Sequence, residues 1–238
     1  MAVWALIGFM GCGKSSIGRT VQHLATASPL ADTDSGSAVS ENMIFVDLDE
    51  EIVRRCGQSI PEIFSATGEA GFRAIERETL ADILSGWGVL PPQEFASLTP
   101  PSAGADSSPA IEPRVLRPSG AIAPTASNQT ILLSLGGGTL MSDESREMVR
   151  KNCKCIYLRA GVETLAANLR EDGAAAGRPM LAGANPDAPT YAPDSLESRI
   201  SAMMAVRGPI YEKAADIILD IDGLDYESAA SKVLQYII

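Results

Sequence analysis

Five short runs of consecutive apolar residues punctuate the chain: "AVWALI" at 2–7, "MIFV" at 43–46, "ILLSL" at 131–135, "CIYL" at 155–158 and "IILDI" at 217–221. They do not alternate apolar with polar. Runs of this kind mark strands buried on both faces, as in a parallel sheet. Between them the apolar period lengthens to that of a helix. Ile17, Val21 and Leu24 share one face after the first run, and His23 falls on the other side, where it is expected to be solvated. "EAGFRAIERETLADIL" at 69–84 sets Phe72, Ile75, Leu80 and Ile83 on one face with charges opposite. Strands alternating with helices predict βαβ units and an α/β fold.

Three stretches break this rhythm. Residues 27–41, "ASPLADTDSGSAVSE", are small, polar and acidic. Residues 88–128 hold eight of the fifteen prolines and few large apolar side chains. Such a composition buries too little surface to offset its ordering entropy. Both are expected to be flexible insertions within a single domain spanning 1–238. The stretch "AGANPDAPTYAPDS" at 182–195 reads as another mobile loop.

Charge and cysteine usage narrow the function. The net charge of −11 argues against binding along a nucleic-acid backbone, so any anion site must be a local cluster of basic groups. Four cysteines (Cys12, Cys56, Cys153 and Cys155) form no disulfide-like framework, and Cys153 and Cys155 are too close for a CxxC knuckle. They read as reduced thiols of a cytoplasmic protein. The first apolar run is broken by Gly11 and lacks a basic flank, so neither a membrane span nor a signal peptide is expected. The single histidine removes most histidine-based chemistry, and no His/Cys metal cluster stands out.

The strongest chemical signal is "GFMGCGKSS" at 8–16, which follows the first strand and opens the first helix. Gly8-x-x-x-x-Gly13-Lys14-Ser15 is the phosphate-loop pattern. Its glycines let backbone N–H groups close on phosphate oxygens, and the helix N-terminus adds partial positive charge. Gly11, Cys12, Gly13, Lys14, Ser15 and Ser16 are therefore expected to lie against the phosphates of ATP or GTP. Lys14 would supply a full charge to the β- and γ-phosphates, and the Ser15 hydroxyl suits Mg²⁺. Cys12 either fills a slot that needs only small size or is a reactive thiol near Lys14.

A phosphate loop does not name an acceptor. The second strand ends "FVDLDEEI", with Asp47 and Asp49 at its C-terminal end, where open α/β sheets bind ligands. One carboxylate could serve Mg²⁺ and the other the acceptor hydroxyl. Alternatively Asp49 could cap the following helix. "GEAGFR", "LGGGT", "GRPML" and "RGPIY" follow. An unbroken glycine triplet after a strand permits close approach of backbone to ligand. Arg73, Arg178 and Arg207 beside glycines, prolines and aromatics suggest an anion-reading set, because the planar guanidinium binds carboxylate and phosphate bidentately.

Together "GFMGCGKSSIGR", "FVDLDEEI", "IPEIFSATGEAGFRAIE", "LSLGGGT", "GRPMLAG" and "RGPIYEKAADI" resemble the shikimate kinase family, in the family's order. The resemblance implies transfer of phosphate from ATP to the 3-hydroxyl of shikimate, on the route to chorismate and the aromatic amino acids. It also implies a P-loop NTPase fold of the nucleoside-monophosphate-kinase type, with a five-stranded parallel sheet, a lid over 172–195 and a substrate-binding subdomain. Carried over by position, Asp47 would stand near the metal with Ser15, and Asp49 would hold the acceptor hydroxyl. Arg73, Gly136, Gly137, Gly138 and Arg207 would bind shikimate, and Arg178 would reach the transferring phosphoryl group. Arg170 would lie by the adenine. A free aspartate titrates near about pH 4, so Asp49 would orient the hydroxyl and accept its proton late. A monomer is implied as well. Two other readings stay open: another small-molecule kinase of this fold, and a non-catalytic shikimate-responsive module.

Overall fold

The computed structural model describes residues 2–27, 43–86, 130–171 and 195–238. The expected loop regions 27–41, 88–128 and 172–195 lie outside these residues, except for Ala27 and Ser195 at their ends. Arg178 lies outside them too.

Five strands form one parallel sheet: β1 (Ala2–Ile7), β2 (Met43–Asp47), β3 (Thr130–Ser134), β4 (Lys154–Arg159) and β5 (Ile217–Asp220), in the order β2-β3-β1-β4-β5. Each coincides with one of the five apolar runs to within a residue or two. The helices are α1 (Lys14–Ala27), α2 (Leu48–Cys56), α3 (Ile60–Gly86), α4 (Asp143–Asn152), α5 (Val162–Glu171), α6 (Leu196–Ala214) and α7 (Tyr226–Ile237). This is the α/β architecture that strand–helix alternation demands.

Burial on both faces holds for the three inner strands. Every residue of β3 is buried, as are the central residues of β1 and β4. The outer strands β2 and β5 are only partly covered, because each has a neighbour on one side alone. On α1 the buried stripe is Ile17, Gly18, Val21 and Ala25, with Leu24 at its margin, and His23 is exposed. Gly18 is where α1 rests on β2: a methyl group there would fall 2.0 Å from the Phe45 ring. Phe72, Ile75, Leu80 and Ile83 of α3 are all buried. The four cysteines are free thiols; burial pushes the Cys155 thiol up to about 12, which suits packing better than redox chemistry.

One local expectation changes. Asp47, not Asp49, is the N-cap of α2, and its carboxylate accepts from the backbone N–H of Asp49 and Glu50. Asp47 has the extended backbone of a cap, whereas Asp49 already lies in the first helical turn.

Candidate active site

Parallel sheets collect loops at the C-terminal ends of their strands. Here β1 ends in the phosphate loop, β2 in the acidic pair and β3 in the glycine triplet. Gly11 and Gly13 have φ of 83° and 77°, a region that side chains disfavour and that turns loop N–H groups inward. The loop is held from outside by α5 and α7: a methyl group on Gly11 would lie 2.8 Å from Leu169, and one on Gly13 would lie 2.7 Å from the Tyr226 ring. Lys14 is buried, and its Nζ donates to the Gly8 and Phe9 carbonyls at 2.9 and 3.0 Å, with Cys12 Sγ at 3.6 Å. Cys12 is 1% exposed, which agrees with the slot-filling alternative. Ser16 lies in the first turn of α1 and is half-buried.

The Ser15 hydroxyl donates to Asp47 Oδ2 at 2.5 Å. Asp47 thus uses Oδ1 to cap α2 and Oδ2 to meet the phosphate loop. A hydroxyl and a carboxylate in contact at the phosphate end form a hard oxygen pair of the kind Mg²⁺ takes.

The acceptor side is built against the same loop. A methyl group on Gly137 would stand 3.0 Å from the Met10 backbone nitrogen. One on Gly136 would stand 2.9 Å from Asp49 Oδ1 and 2.8 Å from Glu76 Oε1, and one on Gly138 would meet the Arg73 guanidinium. The glycine triplet therefore runs between Asp49, Arg73 and the phosphate loop with no room for side chains. Arg207, 6% exposed on α6, lies over the Phe9 ring at 5.7 Å and donates to Gly137 O at 3.4 Å. No carboxylate among the described residues forms an ion pair with Arg207 or with Lys14: Lys14 rests on two carbonyls and the Cys12 sulfur, and Arg207 on the Gly137 carbonyl, the Phe9 ring and the Tyr211 hydroxyl.

Three further side chains, not singled out from the sequence, stand against these groups. Glu76 is 2% exposed; it accepts from Arg73 NH1 at 2.6 Å and from Thr139 Oγ1 at 2.7 Å. It lies three residues beyond Arg73, so helical spacing could have found it. Tyr211 donates to Gly137 O. Asn168 Nδ2 donates to Gly11 O at 2.8 Å. Arg170, expected near the adenine, is ion-paired with Glu197 of α6. A groove of about 530 Å³ under α6 at the β4–β5 edge contains none of the candidate residues.

A family model described as shikimate kinase matches residues 35–90 and 118–238. The chain belongs to the shikimate kinase family. A shikimate kinase of Stenotrophomonas maltophilia is 30% identical over 217 residues, covering 91% of this chain and 81% of the relative. One from Bordetella pertussis is 27% identical over 229 residues, covering 96% of this chain and 75% of the relative. Among solved structures, a shikimate kinase from Acinetobacter baumannii in complex with shikimate aligns with a TM-score of 0.63 at 22% identity, covering 100% of this chain and 93% of that one. One from Bacteroides thetaiotaomicron aligns at 0.58 with 20% identity, covering 99% and 97%. At these identities the two structures speak for the P-loop kinase fold. The family model matches no residue before 35, but the Bordetella pertussis relative aligns over 96% of the chain, a span that takes in residues 11–16 of the phosphate loop.

Proposed function

We propose that this chain transfers the terminal phosphoryl group of ATP to the 3-hydroxyl of shikimate, giving shikimate 3-phosphate and ADP. Family membership supports the activity. The observation that carries its location is the abutment of the phosphate loop and the glycine triplet, so close that a methyl group on Gly137 would stand 3.0 Å from Met10 N, with Asp49 beside Gly136.

In this reading Gly11–Ser16 bind the triphosphate through backbone N–H groups, and Lys14 exchanges its loop carbonyls for phosphate oxygens. Ser15 and Asp47 would hold Mg²⁺, which neutralises phosphate charge when bound. Arg207 and Arg73 take the shikimate carboxylate, with the backbone of Gly136, Gly137 and Gly138 closing on the ring. Asp49 orients the acceptor hydroxyl and takes its proton as the new P–O bond forms. Phosphoryl transfer passes through a loose transition state, so positioning and charge neutralisation are the protein's main contributions. Arg178, outside the described residues, is assigned to the moving phosphoryl group by its place in "GRPML" alone. The remaining assignments are a cytoplasmic monomer without nucleic-acid or membrane partners. The net charge of −11 speaks against nucleic acid and the free thiols fit a reducing compartment, while the monomer is carried over from the family resemblance alone.

The test is ADP release with ATP, Mg²⁺ and shikimate, against quinate, gluconate and no acceptor. Turnover should depend on shikimate. Asp49→Asn should lose turnover by several orders of magnitude and still bind ATP. Near-normal turnover in that variant removes Asp49 from the mechanism.

A further inference from the structure

Two helices reach the two substrate loops from outside the reacting centre. Each spends one neutral donor on a glycine carbonyl. From α5, Asn168 Nδ2 donates to Gly11 O at 2.8 Å. The same helix packs against Gly11, where an added methyl group would fall 3.2 Å from the Leu165 carbonyl. From α6, the Tyr211 hydroxyl donates to Gly137 O. Arg207 approaches the same carbonyl only to 3.4 Å, so tyrosine is the closer donor. Tyr211 is 1% exposed, and its ring packs on Tyr157 with centroids 5.3 Å apart. Burial pushes its hydroxyl well above the usual tyrosine range, so it remains a donor wherever the enzyme works.

The consequence follows from peptide geometry. A trans peptide is planar, so fixing the carbonyl of one residue fixes the N–H of the next on the opposite side. Asn168 thereby sets the Gly11–Cys12 peptide, whose N–H meets Phe9 O at 3.3 Å. Tyr211 sets the Gly137–Gly138 peptide in the same way. Glycine has the widest backbone freedom of any residue, so peptides beside it gain most from an outside restraint.

We propose that Asn168 and Tyr211 are a matched pair of positioning residues, one holding the nucleotide loop and the other the acceptor loop. The pair rests on the assignment of those loops to ATP and shikimate made above. Neither side chain touches a reacting atom. The α5 anchor serves one substrate and the α6 anchor the other, so their effects on the two Michaelis constants should be crossed.

The experiment is steady-state kinetics on the full chain with each substrate varied in turn. Asn168→Leu should raise the KM for ATP about two- to tenfold, the loss of one neutral hydrogen bond, and leave the KM for shikimate within about twofold. Tyr211→Phe keeps the ring packing and should do the reverse. Asn168→Gln, which still donates, should recover most of the ATP affinity. Calorimetric titration with ADP gives the same split without turnover. Both constants moving together in either variant would reveal general loosening and overturn the proposal, as would neither moving. Lys14→Ala and Arg207→Ala separate the failures. If these controls disturb ATP and shikimate respectively while the pair does nothing, the pair is wrong and the loop assignment stands. If the controls fail as well, both fall.

Discussion

Glu76→Gln is the sharpest probe of how the acceptor site holds its arginine. Glu76 accepts one hydrogen bond from Arg73 at 2.6 Å and one from Thr139 at 2.7 Å, at 2% exposure. Glutamine keeps the shape and can still accept from Thr139. Its amide NH₂ would then face a guanidinium that can only donate. The direct loss is one charge-assisted hydrogen bond, about 1.5–3 kcal/mol. The larger cost of breaking a fully buried pair, about 3–5 kcal/mol, does not apply. The Arg73 side chain keeps 21% exposure to water, and Glu69 stands 3.7 Å away as a second partner. About 2 kcal/mol is the expected figure. For a chain of this size that lowers Tm by about 4–8 °C. The same bond holds the guanidinium against Gly138, so the KM for shikimate should rise about tenfold or more, at about 1.4 kcal/mol per decade. The KM for ATP should not change, because Glu76 bonds only to acceptor-side groups. A coupled ADP-release assay with each substrate varied, together with a thermal melt, reads all three quantities. A variant that melts with wild type and keeps its shikimate KM refutes the orienting role. An ATP KM that rises in step with that for shikimate refutes its locality.

Gly138→Ala has an ordinary backbone to occupy, with φ of −111° and ψ of −5°, but its methyl group would lie 2.2 Å from Arg73 NH2. It should raise the shikimate KM by about fivefold or more with little change in Tm, and an unchanged KM would show that Arg73 yields freely. Gly68 interrupts α3 with φ of 69° and ψ of −177°, and nothing lies within 4 Å of an added methyl group. Gly68→Ala should therefore cost about 1–3 kcal/mol through backbone strain alone, and a melt identical to wild type would contradict that. Arg55, with a 6% exposed side chain, binds Glu51 at 2.7 Å and Asp82 at 2.8 Å. Desolvation raises the Glu51 carboxyl, but hydrogen bonds from Arg54 and Arg55 outweigh it and hold the group below its ordinary value. A depressed carboxyl contributes stability that is full above its unfolded pKa of about 4.3 and is lost as pH falls through the folded value. Arg55→Met should lower Tm at neutral pH and flatten its fall toward about pH 3, whereas an unaltered acid limb would exclude Glu51 as its source.

How much of this was legible in the sequence depends on where each constraint acts. Strand existence was legible because burial on both faces writes itself as consecutive apolar residues, and β3 is buried at every position. Edge position was not, because "MIFV" and "IILDI" look as apolar as the inner runs although β2 and β5 are half-covered. Coverage depends on strand order, which no local pattern carries. In the candidate site, residues that a motif marks were legible as candidates: Lys14, Ser15, Asp49 and Arg207 all stand by the phosphate loop or the glycine triplet. Residues that act through another residue were not. Tyr211 stood inside "RGPIY", four residues beyond Arg207 on the same helical face, but its partner is a carbonyl 74 positions away. Asn168 had no signal at all, because its partner is the Gly11 carbonyl, 157 positions away. The acidic pair posed a cap alternative on Asp49, and the structure gives the cap to Asp47 instead: one of its oxygens takes the first N–H groups of α2 and the other meets Ser15.

An acidic chain that handles a polyanion needs its positive charge placed locally, and the distribution of ion pairs accounts for that placement. Away from the site, arginines are matched by acids: Arg19 by Glu50, Arg55 by Glu51 and Asp82, Arg77 by Glu144, Arg159 by Asp220. These pairs cancel their own fields, and those on the surface add little stability. Lys14 and Arg207 break the rule. They are 8% and 6% exposed, and they meet at Phe9: the lysine takes its carbonyl at 3.0 Å and the arginine covers its ring. Buried charge resting on carbonyl dipoles is only partly compensated, and it acts in a medium where Coulomb interactions are stronger than in water. An incoming phosphate or carboxylate completes the compensation. The overall charge of −11 repels anions from most of the surface, and in the proposed reading the two buried cations that meet at Phe9 draw the two anionic substrates to the junction of the phosphate loop and the glycine triplet.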